Sequence, residues 1–190
     1  MRKSPTREVL DKCVTDILYC YGQIFADYCW RVVVKPKLIS HKDEITEGCA
    51  QIVQNACIES VLVFYRKIDE FYKPRLGKSN AKDDDLRAYD FPGFNLPNGI
   101  IDENSRTELH KRVAHITTRE ATDGKFAWNT ISASPTFVQH GRPFFNYLVN
   151  EFYSTDQEKR DLTKSMIDKI NRISNEVSQQ PEILKAKEKN

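Results

Sequence analysis

Apolar residues recur along most of this chain at spacings of three and four, the period of a helix with one face packed and the other in water. The first run carries Leu10, Val14, Ile17, Tyr21, Ile24 and Tyr28, widened by Val9, Cys13 and Cys20. Thr6 stands at an N-cap position and Glu8 falls in the first turn, so the pattern predicts a helix over about 6–30. Pro36 ends it, whether Val32, Val33 and Val34 continue the helix or form a short extended piece.

The longest run predicts a helix over about 42–72. Ile45, Cys49, Ile52, Ala56, Val63, Phe64, Ile68 and Phe71 mark its apolar positions, and Ile58, Leu62 and Tyr65 make a second side apolar. A helix wet only along a narrow strip is expected to be central and packed by several neighbours. Asn55, Glu59, Arg66 and Asp69 interrupt it at intervals of four, seven and three. They form one polar seam, read either as ion pairs that fix helix register or as part of a site.

Residues 73–99 read as a loop, with Gly77, Pro92, Gly93, Pro97 and Gly99. A connection of this length in a compact domain is usually functional or mobile. Within it, Asp84 or Asp85 is placed to cap a short helix through Leu86, Ala88, Tyr89 and Phe91. The tripeptide Gly77-Lys78-Ser79 lacks the upstream glycine and preceding strand of a phosphate loop. Asp83, Asp84 and Asp85 lack the glycine and distal glutamate of a calcium loop.

The stretch 108–119 reads as a short helix capped by Asp102 or Asn104, with Leu109, Val113 and Ile116 as its buried stripe. Glu108, Arg112, His115 and Arg119 stack on a neighbouring face, and Lys111 lies four residues before His115. A histidine beside guanidinium groups is disfavoured in its charged form and titrates below its usual value of about 6.5. Three uses fit such a face: a catalytic base, a phosphate-binding patch, or an ordinary solvated surface.

Further on, Ser134-Pro135 reads as a helix start. Phe137, Phe144 or Phe145, Leu148 and Phe152 carry that helix to about residue 153, with His140 at the surface. A last helix over about 155–177 shows a narrow stripe of Leu162, Met166, Ile170 and Ile173, suited to one partner helix. Residues 181–190 read as a charged, fraying tail. Strand patterns are nearly absent. The expected fold is therefore all-α, an up-and-down bundle of about five helices in one domain over 1–180, with 73–101 as a long loop bearing a short helix.

Composition narrows the function classes. A formal net charge of +2 does not announce nucleic-acid binding, so any such role must rest on a local patch. No apolar run reaches the ~20 residues that span a bilayer. Met1 to Pro5 carry charge with no apolar run behind them, so no secretory signal is expected. Cys13, Cys20, Cys29, Cys49 and Cys57 are odd in number, form no CxxC pair and have no histidine at zinc-ligand spacing. The expectation is a reduced, cytoplasmic protein with no membrane contact, no structural metal and no cofactor.

Three segments carry a resemblance. Ala56-x-x-Glu59 with Tyr65-Arg66-Lys67-Ile68-Asp69-Glu70-Phe71 is the first, and Asp84-Asp85-Leu86-Arg87-Ala88-Tyr89-Asp90-Phe91 the second. The third is Leu109-His110-Lys111-Arg112-Val113-Ala114-His115-Ile116-Thr117, whose last five residues are the most specific part. Together they resemble an uncharacterised bacterial family that looks like an outlying branch of the HEPN superfamily. The resemblance covers about residues 55–128. It implies an up-and-down bundle of four or more helices that dimerises, with paired sites across the interface. Active HEPN proteins are metal-independent ribonucleases of toxin–antitoxin, phage-defence and RNA-processing systems. Their motif is an arginine, a polar residue, a few further residues and a histidine.

His115 matches the motif histidine, while the residue five before it is His110, followed by Lys111; Arg106 lies nine before and Arg112 three. By the resemblance, His115, His110, Arg66 and Glu59 are the catalytic candidates. Lys111, Arg112 and Arg119 are the RNA-binding ones, and Asp69 orients its neighbours. Cleaving RNA without a metal needs a base for the 2′-hydroxyl proton and cations for the charge on the phosphorane-like transition state. The implied partners are a second copy, RNA, and a cognate antitoxin or nucleotidyltransferase-type protein. Many relatives are inactive, so a second expectation stands beside the first: a helical interaction subunit whose polar seam only fixes packing.

Overall fold

The computed structural model describes residues 4–25, 30, 34–35, 44–73, 85–95 and 130–179. Among these the secondary structure is helical throughout: α1 (Arg7–Ile24), α2 (Glu44–Tyr72), α3 (Thr130–Tyr147) and α4 (Gln157–Ser178). A 3-10 turn lies at Ala88–Asp90 and a π turn at Leu148–Phe152. The expected helix bearing His110 and His115 lies outside the described residues.

The periodicity of α1 translates directly into burial. Thr6 caps it, its hydroxyl accepting from the Val9 amide, and Leu10, Val14, Ile17, Tyr21 and Ile24 all face the core with Cys13 and Cys20. Val9 is exposed instead of widening the stripe. The helix closes at Ile24, short of the expected residue 30, and Phe25 follows as a buried C-cap.

The main contacts run round the bundle: α1 packs on α2, α2 on α3, α3 on α4, and α4 returns to α1, with Tyr21 of α1 also meeting Phe145 of α3. Aromatic rings fill the middle. Tyr65 of α2 stacks on Phe137 of α3 with centroids 4.1 Å apart. Phe144 meets Phe71, Phe91 and Phe94 edge-on at 5.0–5.1 Å. Both Phe144 and Phe145 are buried, where periodicity alone left the choice open. Edge-to-face pairs contribute about 0.5–1.5 kcal/mol each beyond the area they bury, so Phe91 and Phe94 hold residues 85–95 firmly against the bundle. Gly93 makes the turn between them with φ 81°, and the Tyr147 hydroxyl donates to the Pro92 carbonyl at 2.7 Å.

Three expectations change. The short turn after the loop is capped by Arg87, not by Asp84 or Asp85. The Asp90 carboxylate accepts from the Arg87 amide at 2.9 Å, leaving Asp85 to pair with the Arg87 guanidinium. α3 begins at Thr130, so Pro135 sits inside the helix, where it removes one backbone hydrogen bond. The expected stripe of α4 holds at Ile170, which is buried, and at Met166 and Ile173, which pack on the core, but Leu162 is 63% exposed and Thr163, Ile167 and Ser174 are buried instead. Small hydroxyl residues can bond their own helix backbone and pack closely, so their polarity hid this face from an apolar count.

Candidate functional site

The long helix α2 has two apolar faces, and among the described residues only one of them is covered. Ala50, Val61, Tyr65 and Ile68 point into the bundle and are buried. On the opposite side Ile45, Cys49, Ile52, Ala56, Glu59, Val63 and Arg66 follow one another at intervals of four and three. There Ile45 is 79% exposed and Ile52 69%, and Cys49, Ala56 and Glu59 are exposed as well. Among the described residues α1, α3 and the Ala88–Asp90 turn pack on α2, and none of them covers this side. Apolar residues on two sides of a helix show what could be buried; the arrangement of other elements decides what is. Here α1 and α3 meet α2 on its inner side. Lys35 reaches the Gln51 and Gln54 side chains, so residue 35 does not cross the outer one.

The predicted polar seam on α2 is divided among different environments. Glu59 lies exposed and Arg66 half-buried on the outer face, while Asp69 is wholly buried. Asn55 is exposed and accepts from the Gln51 amide at 2.9 Å. His110, Lys111, Arg112, His115 and Arg119 lie outside the described residues. His140 is exposed on α3.

Two ionic clusters went unnoticed in the sequence. In the first, Arg87 is nearly buried and donates to the Glu70 carboxylate at 2.8 Å, to the Glu70 backbone carbonyl, and to Asp85 at 3.1 Å. It thereby satisfies a carbonyl in the last turn of α2. Burial alone lowers the pKa of this guanidinium, but the hydrogen bonds and charges of Glu70 and Asp85 outweigh it and shift it up.

In the second, the Asp11 carboxylate of α1 takes the Tyr153 hydroxyl at 3.1 Å, Lys159 at 2.6 Å and Arg7 at 3.3 Å. Arg7 also lies 3.5 Å over the Phe152 ring and donates to the Phe152 carbonyl at the end of the π turn. The hydrogen bond that Lys159 donates to Asp11, with the charge of that carboxylate, raises the Lys159 pKa; burial, with Asp11, raises that of Tyr153. Both clusters tie elements together, and Lys73 beside Glu70 in the first and Asp156 beside Lys159 in the second balance their charges. They read as structure. The only local signal was Arg7 four residues before Asp11, which says nothing of partners more than 140 residues away.

A shallow groove of about 370 Å³ runs along the outside of α4, lined by Asp161, Lys164, Ser165, Asp168, Lys169 and Arg172. Its charges are of both signs and interspersed, the pattern of a solvated helix face. No group of three His, Cys, Asp or Glu side chains among the described residues is placed to hold a metal ion. No helix among them is long and apolar enough to cross a membrane.

No protein-family model, curated protein or solved structure matches this chain. What the fold and surface define is an all-helical protein whose longest helix turns a row of apolar side chains to water.

Proposed function

We propose that this chain is a HEPN-like helical interaction subunit, with the α2 polar residues serving packing more than chemistry. The observation that carries this reading is the outer face of α2, where Ile45 and Ile52 stand in water beside Cys49 and Ala56. Contiguous apolar surface on a folded protein marks a site where another molecule sits. The burial of Asp69 and the full pairing of Arg87 with Glu70 and Asp85 also agree with a structural role for these charges.

A second reading is RNA binding or metal-independent RNA cleavage within a defence or toxin–antitoxin system. It draws on Glu59 and Arg66, which lie on the outward side of α2. In that reading His115 takes the proton from a 2′-hydroxyl, whose oxygen attacks the adjacent phosphorus and expels the 5′-oxygen. Lys111, Arg112 or Arg66 then holds the charge on the phosphoryl oxygens.

One assay separates interaction from RNA cleavage: purified protein with total RNA in chelator, beside His115→Ala. The interaction reading expects no cleavage beyond buffer from either protein. Cleavage that disappears in His115→Ala would overturn it and make His110 and Arg66 the next positions to change.

A further inference from the structure

We infer that the end of α3 is a two-register element, held in its π register by Arg7 of α1, and that this register seats residues 85–95. The inference stands apart from the interaction reading and concerns a conformational device within the fold.

α3 runs as an ordinary helix to Tyr147. The Leu148–Phe152 turn then takes in one extra residue, closing with the Tyr153 amide donating to the Leu148 carbonyl at 2.9 Å. The same residues could close an ordinary turn one position earlier, through the Phe152 amide, which is the far commoner geometry. Everything after the turn would then rotate by about 100° around the helix axis. The side chains whose contacts depend on that rotation decide which register holds.

Those side chains are Phe152 and Tyr153, neighbours in sequence and both buried. The Phe152 ring lies between the Arg7 guanidinium, at 3.5 Å, and the Phe91 ring, at 5.1 Å. Its carbonyl accepts from Arg7, and the Tyr153 hydroxyl donates to Asp11 at 3.1 Å. The first turn of α1 thus supplies a cation for the ring, a donor for the carbonyl and an acceptor for the phenol. All three contacts belong to the π register.

A change of register needs slack, and the connection to α4 has it. Residues 153–156 are held by single-turn bonds, from the Ser154 amide to the Glu151 carbonyl and from the Asp156 amide to the Tyr153 carbonyl. The consequence falls on Phe91. Rotation of Phe152 removes one wall of the aromatic cluster that seats residues 85–95, so a change at the start of α1 reaches that segment through the turn. A discrete element biased on one side and read on the other is what coupling between distant segments requires. The Arg7 side chain is 49% exposed, so the lock is reached from solvent.

The test is amide hydrogen exchange by mass spectrometry on the full chain, with Arg7→Leu, deletion of Asn150, and both together. Leucine keeps an apolar cover on Phe152 but removes the charge and the donor. Asn150 is exposed within the π turn. Its deletion takes out the extra residue, so an ordinary turn leaves Phe152 and Tyr153 facing as they do now.

Arg7→Leu should speed exchange in 148–153 and in 85–95 about tenfold, the loss expected for a charge-assisted bond, with 61–68 of α2 unchanged. In the deletion background the same substitution should leave 85–95 at the rate of the deletion protein alone. No acceleration at 85–95, the same acceleration at 61–68, or equal acceleration in both backgrounds overturns the inference. Should the deletion protein lose its helical circular dichroism, the register is read in Arg7→Leu from the scalar coupling across the hydrogen bond to the Leu148 carbonyl. That coupling should move from the Tyr153 amide to the Phe152 amide. Its staying on Tyr153 overturns the inference.

Discussion

The Tyr21 hydroxyl donates to the Tyr72 hydroxyl across 3.3 Å, and both rings are sealed from water. A Cβ at Gly141 would stand 2.5 Å from that same Tyr21 oxygen. Gly141 therefore belongs to the contact between α1 and α3, where only an α-carbon without a side chain leaves room for the phenol. Tyr21 cannot swing aside, because Phe145 lies edge-on against its ring at 4.8 Å. Gly141→Ala should cost about 1–3 kcal/mol despite the better helix propensity of alanine. A lowered urea midpoint with an unchanged slope would show it; a midpoint at or above that of wild type would refute the close contact.

The two hydroxyls should also behave as a unit. Tyr72→Phe removes the acceptor and leaves the Tyr21 donor buried without its partner, at a cost of about 1–3 kcal/mol. Adding Tyr21→Phe removes the stranded group and should recover part of that loss. Urea unfolding of both single variants and the double variant gives the coupling directly. Strictly additive losses would mean that the hydroxyls do not depend on each other.

Arg87 should matter more than its loop position suggests. Replacing it with methionine keeps much of the side-chain volume but leaves the Glu70 carboxylate and a terminal α2 carbonyl without their donor. The loss should be about 2–4 kcal/mol, somewhat below that of a fully sealed pair because Glu70 is partly in water. Glu70→Gln, which retains an acceptor oxygen, should lose less. Equal midpoints for wild type and Arg87→Met would show that the cluster only decorates the surface.

Stability should fall on the alkaline side. An unfolded Cys13 thiol loses its proton near 9.0, while burial, with the charges of Asp16 and Asp90, pushes it up to about 12 in the fold. Burial raises Tyr21 and Tyr72 as well. Between the unfolded and folded values the native state keeps protons that the unfolded chain has released, so rising pH favours unfolding. The contribution is complete below about pH 9 and is lost progressively toward 12. Urea midpoints should hold level from about pH 7 to 8.5 and then decline, less steeply in Cys13→Ala. A level profile to about pH 10.5 would contradict this account.

Much of the fold was legible in the sequence because helical periodicity is a local property. The Thr6 cap, the α1 stripe from Leu10 to Ile24 and the end of α2 at Tyr72 follow from residues within a few turns of one another. The candidate site was less legible. Glu59, Arg66 and Asp69 share one helix at seam-like intervals, yet one is exposed, one half-buried and one sealed. Their difference depends on which neighbours stand beside each position.

What the sequence determined by itself was which elements are helices and which of their faces are apolar, since both depend on propensity and period. Which apolar face is covered was decided only by the tertiary structure. It hid Tyr65 and Ile68 against α3 and its neighbours, left Ile45 and Ile52 in water, and buried Thr163 and Ser174 of α4 in place of Leu162. It also joined Asp11 to Lys159 and Arg87 to Glu70. The physical reason is the same in each case: hydrophobicity measures the gain from being covered, and only the packing of distant segments supplies the cover.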